Sequence, residues 1–370
     1  MKIKNLLTLS LCLSLIQAEY NLDNCETDIA SDVPEFFQKY FHCVTARMSE
    51  TGNYINLYFN GKPPYESWYY LPEDPNYISW ESQGTGYFQV PNVIEEQEYV
   101  ISIPINPIAI PNYQIGENAV DGIPNNNANE YPMGSVGSAL NGVNIFNPCA
   151  APPDEIEDEA LSFDLYSGHP NGPGVYHYHT TSAGPLEVMK HKLPNYVTNT
   201  VPGTAEIELY GIMCDGVVVL GCTELDGDII DTADWDAQNG HVHDMIDESG
   251  TVLLTNRYHT HICYDSITEN DTDNNGYQEH EFTPESSYYA SIPIGNNNVC
   301  GAMSSPLEDD ALDVMGCTDE LACNYDANAN VDDGSCTFAE SNYDCSGNCT
   351  AGEDCAGECN GNAIVDECGI

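Results

Sequence analysis

Past residue 54 the apolar positions come in short runs cut by Gly, Pro and Asn, each too short for a helix that buries one face. Tyr99–Ile103, Ala205–Tyr210 and Gly216–Leu220 are alternating or β-branched and bounded by turn residues, so they read as strands. One earlier segment has a different period. Phe37, Tyr40, Phe41 and Val44 recur at helical spacing, behind Asp32 as a cap, Pro34 in the first turn and Glu35 three residues after the cap. The pattern predicts one short helix there, flanked by a Cys25–Cys43 bridge. The rest predicts a mainly β domain, α+β at most, with long loops.

The two ends of the chain depart from this pattern. Met1–Lys4 is basic, Leu6–Ile16 is apolar and Ala18 is small, so residues 1–18 read as a secretory signal peptide, too short to span a bilayer. No other apolar run reaches spanning length, so a secreted, extracellular protein with no transmembrane segment is expected. At the other end, Cys317–Cys368 holds eight of the 16 cysteines, three aromatic residues and no His, Lys or Arg. Such a segment cannot build an apolar core and needs cross-links. We expect residues 19–302 as the main domain, an acidic linker at 303–316, and a small disulfide-rich module at 317–370, with four bridges of its own. Without Cys12 fifteen cysteines remain, which leaves one unpaired or bridged between chains. Cys214 and Cys222 bracket a strand-like run and are expected to pair, leaving the odd thiol among Cys149, Cys263 and Cys300.

Charge narrows the partners. The chain carries 59 Asp and Glu against 8 Lys and Arg, a formal net charge of −51. Phosphate backbones and anionic membranes would repel it, which excludes nucleic-acid functions and makes cations the natural counter-species.

Within the main domain a pattern repeats. Gly137 to Phe146, with Asn141-Gly142-Val143 inside it, lines up with Gly211 to Leu220, with Asp215-Gly216-Val217 inside it. Downstream, Asp164 to His169 matches Asp236 to His241, and Tyr176-His177-Tyr178-His179 matches Tyr258-His259-Thr260-His261. Three matched elements in one order argue for internal duplication, about 137–179 and 211–261. The Asn-Gly and Asp-Gly pairs predict a tight hairpin in each copy.

Seven of the ten histidines fall in these elements: His169, His177, His179, His241, His243, His259 and His261. Six form His-x-His pairs, and on a strand residues two apart share a face. Neutral imidazoles side by side suit copper or zinc, with Asp164 and Asp236 placed to ligate or to orient the rings. The competing readings are a metal-dependent extracellular hydrolase or oxidase, and a metal-free matrix or adhesion module. The equivalent motifs are expected to converge on a single centre between the copies. No Gly-x-Ser-x-Gly elbow and no phosphate-binding glycine loop accompanies them.

Gly174-Val175-Tyr176-His177-Tyr178-His179 resembles the signature of the YHYH domain family. The resemblance runs from about Asn60 to Cys263 and takes in Gly168-His169-Pro170, Asp215-Gly216, Leu225-Asp226-Gly227 and Asn239 to Asp244. It implies a secreted domain without an assigned reaction. The second copy departs from it, with Thr260 in place of the second tyrosine, and Pro64-Tyr65 stands where related sequences often place a histidine.

Two acidic loops suggest calcium. Asp271, Asp273 and Asn275, followed by Gly276, follow the start of an EF-hand loop, although position twelve is Phe282. Asp326, Asn328, Asn330 and Asp332 lie in a segment similar to short Cys-rich Asn/Asp repeats of secreted modular proteins. That resemblance implies a spacer or an attachment to matrix or cell-surface components.

Overall fold

A computed structural model describes residues 19–109, 133–147, 150–151, 156–236, 239–263, 315–326, 331–332 and 334–364. The protein is mainly β, as the short apolar runs predict. A four-stranded sheet is built from β1 (Asp28–Ile29), β2 (Thr45–Met48), β3 (Tyr54–Phe59) and β4 (Tyr99–Pro104), in that order. The helix α1 (Glu35–Tyr40) crosses between β1 and β2 and buries Phe36, Phe37 and Tyr40. Asp32 does not cap it. Pro34 occupies the cap position, and its ring carries no acceptor, so it makes no side-chain cap bond. The Cys25–Cys43 bridge is present.

The second sheet carries the repeat. It comprises β5 (Ser135–Ala139), β6 (Asn144–Phe146), β7 (Gly168–Pro170) and β8 (Tyr176–Tyr178) from the first copy. The second copy supplies β9 (Leu209–Met213), β10 (Val218–Leu220), β11 (Gly240–Ile246) and β12 (Val252–His261). The strand order is β11-β12-β10-β9-β5-β6-β8-β7, so each copy builds one half and the halves meet at β5 and β9. Both hairpins close alike: Gly142 N–H donates to the Ala139 carbonyl and Gly216 N–H to that of Met213. Gly142 and Gly216 both have positive φ, +70° and +88°, the conformation that the Asn-Gly and Asp-Gly pairs foretell. Ala205–Glu208 stays outside β9, and Glu208, fully buried there, accepts from the Ala205 and Cys222 amides instead.

Two further helices lie between the motifs, α2 (Ile156–Ala160) and α3 (Ala183–Lys192). Ser182 caps α3 by accepting from Gly184 N, and Lys190, His191 and Lys192 oppose the dipole at its end. Helix α3 buries Leu186, Val188 and Met189 around more than one face, so no amphipathic period marks it in the sequence. Phe36, Tyr40, Leu57, Ile103, Leu140, Tyr176, Leu186 and Val219 belong to one apolar core that draws on both sheets and on α1 and α3.

The cysteine pairing is only partly as expected. Cys222 bridges to Cys263, not to Cys214, which removes Cys263 from the candidates for an odd thiol. Strand β12 runs parallel to β10, and this brings the residues just past both strand ends together. Cys214 is itself disulfide-bonded. Cys149 and Cys300 lie outside the described residues. In the tail, Cys317–Cys336, Cys323–Cys345 and Cys349–Cys359 are bridged, around a short pairing of β13 (Met315–Gly316) with β14 (Val331–Asp332). Among the described residues, no helix is long and apolar enough to cross a membrane.

Candidate metal centres

The register of each half-sheet places the histidines. In the first copy His169 on β7 lies directly opposite His177 on β8, and Asn144 on β6 pairs with His177 from the other side. In the second copy His241 on β11 lies opposite His259 on β12, and Val218 on β10 pairs with His259. Facing residues on neighbouring strands are close enough for their side chains to touch. His179 and His261 follow two residues on, on the same face.

In the first copy the Nε2 atoms of His169 and His177 are 3.1 Å apart, and those of His177 and His179 are 3.0 Å apart. The opposite nitrogen of each ring is engaged. His177 Nδ1 lies 2.9 Å from the Val175 carbonyl, and His179 Nδ1 lies 2.6 Å from the Asn147 carbonyl. His169 Nδ1 lies 2.7 Å from Ser162 Oγ, which gives its own proton to the Glu159 carbonyl and so accepts from the ring. A carbonyl only accepts, so the ring protons sit on Nδ1 and the three Nε2 atoms carry lone pairs. Lone pairs cannot bond to one another. Three of them at this spacing match imidazoles around one cation, where ligand nitrogens about 2.0–2.1 Å from the ion stand roughly 3.3 Å apart.

Protons do not take the cation's place here. Burial holds His169 and His177 well below the usual imidazole range and brings His179 down to about 4, so the rings are neutral at pH 7. Glu159 on α2 adds a carboxylate oxygen 3.5 Å from His169 Nε2.

The second copy repeats this in detail. His259 Nδ1 is 3.0 Å from the Arg257 carbonyl and His261 Nδ1 is 2.9 Å from the Gly221 carbonyl, the positions that match Val175 and Asn147. Trp235 stacks on His261 at 5.2 Å between centroids, where Phe163 lies parallel to His179 at 6.0 Å. His241 and His261 bring their Nε2 atoms to 3.3 Å. Here Glu224 reaches the centre fully, within 3.3–3.5 Å of His241, His243, His259 and His261. Burial pushes the Glu224 carboxyl up, but His259 and His261 beside it outweigh burial and hold it below the usual range, so it is ionised.

The expectation of one shared centre is therefore corrected. Four strands separate β8 from β12 in the sheet, which at about 4.8 Å per strand puts the two groups some 24 Å apart. The copies are related across β5 and β9, so equivalent edge motifs are carried outward, to opposite ends.

All seven histidines of the motifs take part in the two groups. Asp164 and Asp236 do not join them. Asp164 Oδ1 accepts from Tyr176 Oη at 2.7 Å and from the Tyr166 amide, and its Oδ2 accepts from Ser67 Oγ at 2.5 Å. Asp236 accepts from the Gly240 amide and from Tyr258 Oη at 3.0 Å. Each aspartate thus ties the turn before one histidine strand to the tyrosine of the next, a positioning role. Tyr65 joins a tyrosine cluster, hydrogen-bonded to Tyr178 and stacked on Tyr166, rather than supplying a ligand.

Glu224 and Glu159 escape the sequence reading. Glu224 directly precedes Leu225-Asp226-Gly227, a motif already singled out, and that turn, with Gly227 N–H bonded to the Glu224 carbonyl, sets its side chain. Cys25, His42 and Cys43 also converge, but the cysteines are bridged to each other and His42 is bonded to Thr27 and to the Leu22 carbonyl. Of the calcium candidates, Asp271, Asp273, Asn275, Asn328 and Asn330 lie outside the described residues. Asp326 is in no convergent group among the described residues, and the side chain of Asp332 lies outside them.

The fold and site define a mainly β, internally duplicated protein with one histidine group per copy. The family model described as YHYH protein matches residues 113–228, which hold the first group, the β9–β10 hairpin and Glu224. No curated protein and no solved structure matches the chain.

Proposed function

We propose that this is a secreted protein that binds transition-metal ions at two centres, one in each copy of the duplicated sheet. The observation that supports it best is the tautomer pattern. Carbonyl acceptors fix the ring protons on Nδ1 and turn buried Nε2 lone pairs toward one another. Copper or zinc suits a set of imidazoles and carboxylate with no thiolate. Binding is put ahead of turnover because His169, His177 and His179 are at most 3 % exposed. Two surface clefts of the described residues are lined by other side chains, one from Glu19 to Val100 and one around Tyr65, Tyr166 and His191.

The same proposal includes removal of residues 1–18, an acidic linker at 303–316 and a disulfide-stapled module from Cys317 as an extracellular spacer or attachment. The bridges within 317–359 and the −51 charge are consistent with an oxidising, cation-rich exterior. Calcium, neutralising clustered carboxylates, belongs to that part of the reading.

Elemental analysis of protein purified without chelators tests the proposal. Copper or zinc should be present at one or more ions per centre and should vanish in a His177→Ala/His259→Ala double variant. Sub-stoichiometric metal, unchanged in that variant, would end the idea.

A further inference from the structure

We propose that the two centres are unequal: the first holds one cation, and the second holds two, bridged by Glu224. The inference rests on the metal-binding reading above and adds a count to it.

The copies match position for position until His243. His169, His177 and His179 correspond to His241, His259 and His261, but the counterpart of His243 is Asn171, whose side chain only accepts from the Val175 amide within its turn. In the first copy His177 Nε2 lies near both neighbours, at 3.1 and 3.0 Å, so the three nitrogens meet at one place. In the second copy a carboxylate enters the group: His241, His243, His259 and Glu224 bring their ligand atoms within 4.8 Å of one another. His241 and His261 remain together at 3.3 Å. His259 Nε2, fully buried, forms no hydrogen bond, and its ring lies 4.4 Å from that of His243 and 4.5 Å from that of His241 between centroids.

The two oxygens of Glu224 divide the four imidazoles into pairs. Its Oε1 lies 3.3 Å from His241 and 3.5 Å from His261. Its Oε2 lies 3.5 Å from His243 and 3.4 Å from His259. Each carboxylate oxygen therefore completes a set with one pair of imidazoles. For Oε1 the three separations form a near-equilateral triangle whose centre is about 1.9 Å from every corner, close to a metal–ligand bond of about 2.0–2.2 Å. A carboxylate that offers one oxygen to each of two ions is a usual bridge in paired sites, where the ions stand about 3.5–4 Å apart. His243 is 40 % exposed at its side chain whereas His261 is buried, so the ion between His243 and His259 lies nearer solvent and exchanges first.

The test is a count on the full chain. Protein stripped with a chelator and dialysed is titrated with zinc(II) and weighed by native mass spectrometry. Three ions per chain are expected, falling to two in His243→Asn, which installs the first copy's residue at an exposed position, and to two in His169→Ala. Loaded with copper(II), wild type and His169→Ala should show a spin-coupled pair in the electron paramagnetic resonance spectrum, absent from His243→Asn. Two ions in wild type, or three that His243→Asn leaves unchanged, overturns the bridged pair while metal binding stands. No ion at all overturns the underlying reading as well.

Discussion

Ser138 and Ile212 face each other across β5 and β9, and they are the same position of the two copies. Gly137 pairs with Met213 and Ala139 with Gly211, so the register is symmetric about that central pair. A pseudo-twofold axis thus passes between Ser138 and Ile212. Every strand that follows in one copy has its partner on the other side, which is why the histidine groups lie at opposite ends of one sheet.

Independence of the two ends can be read with a tryptophan. Trp235 stacks on His261, and its counterpart on the first group is Phe163. Copper(II) bound at the second group should quench Trp235 emission, and Trp235→Phe should remove that part of the quench. His177→Ala should leave the quench intact while His259→Ala weakens its midpoint by at least tenfold. Equal loss in both variants, in a fluorescence titration, would contradict separate centres.

Acid should destabilise the metal-free protein. His179 has a folded pKa of about 4 against an ordinary 6.5, and burial lowers His169 and His177 as well. The unfolded chain therefore binds more protons between those values, and stability falls as pH drops from 6.5 toward 4. His179 alone accounts for up to about 3 kcal/mol at roughly 1.4 kcal/mol per unit. Asp164, raised by burial to about 6, and Glu187 and Glu208, also raised by burial, work in the opposite sense over part of that window, against five histidines lowered by burial, His42 and His259 among them. Urea midpoints measured in chelator should fall from pH 7 to pH 4.5; a flat profile would show the rings to be hydrated.

Gly168 and Gly240 hold equivalent places beneath the rings of Tyr176 and Tyr258. A methyl group at either would overlap the tyrosine hydroxyl that binds Asp164 or Asp236. Gly168→Ala and Gly240→Ala should each cost about 1–3 kcal/mol by overpacking. Each should also weaken metal binding in its own copy only. Wild-type denaturation midpoints would show that the tyrosines move aside freely.

The Cys222–Cys263 bridge flanks the second group, since Gly221 accepts from His261 and Cys263 lies two residues beyond that ring. Replacing both cysteines by alanine should lower stability by about 2–4 kcal/mol. The zinc midpoint of the second group should shift upward severalfold while the first stays fixed. Calorimetric titration of both groups decides whether the bridge positions the site or only staples the chain.

Local pattern alone sufficed for part of this. The short β-branched runs foretold β4 and β10, the Asn-Gly and Asp-Gly pairs foretold both hairpins, and the spacing of seven histidines foretold which side chains would gather. Those features depend on side-chain alternation and on turn conformations that a few neighbouring residues dictate. Helix α3 escaped because burial on more than one face erases the period that marks a helix. Glu224 escaped because a single glutamate before a turn looks like any surface acid until the chain returns beside it. The Cys222–Cys263 pairing needed the parallel alignment of β10 with β12. The number of centres was beyond the sequence too. Duplication guarantees equivalent motifs but not their separation, and only the pairing of β5 with β9, about Ser138 and Ile212, sends the two groups to opposite ends of the sheet.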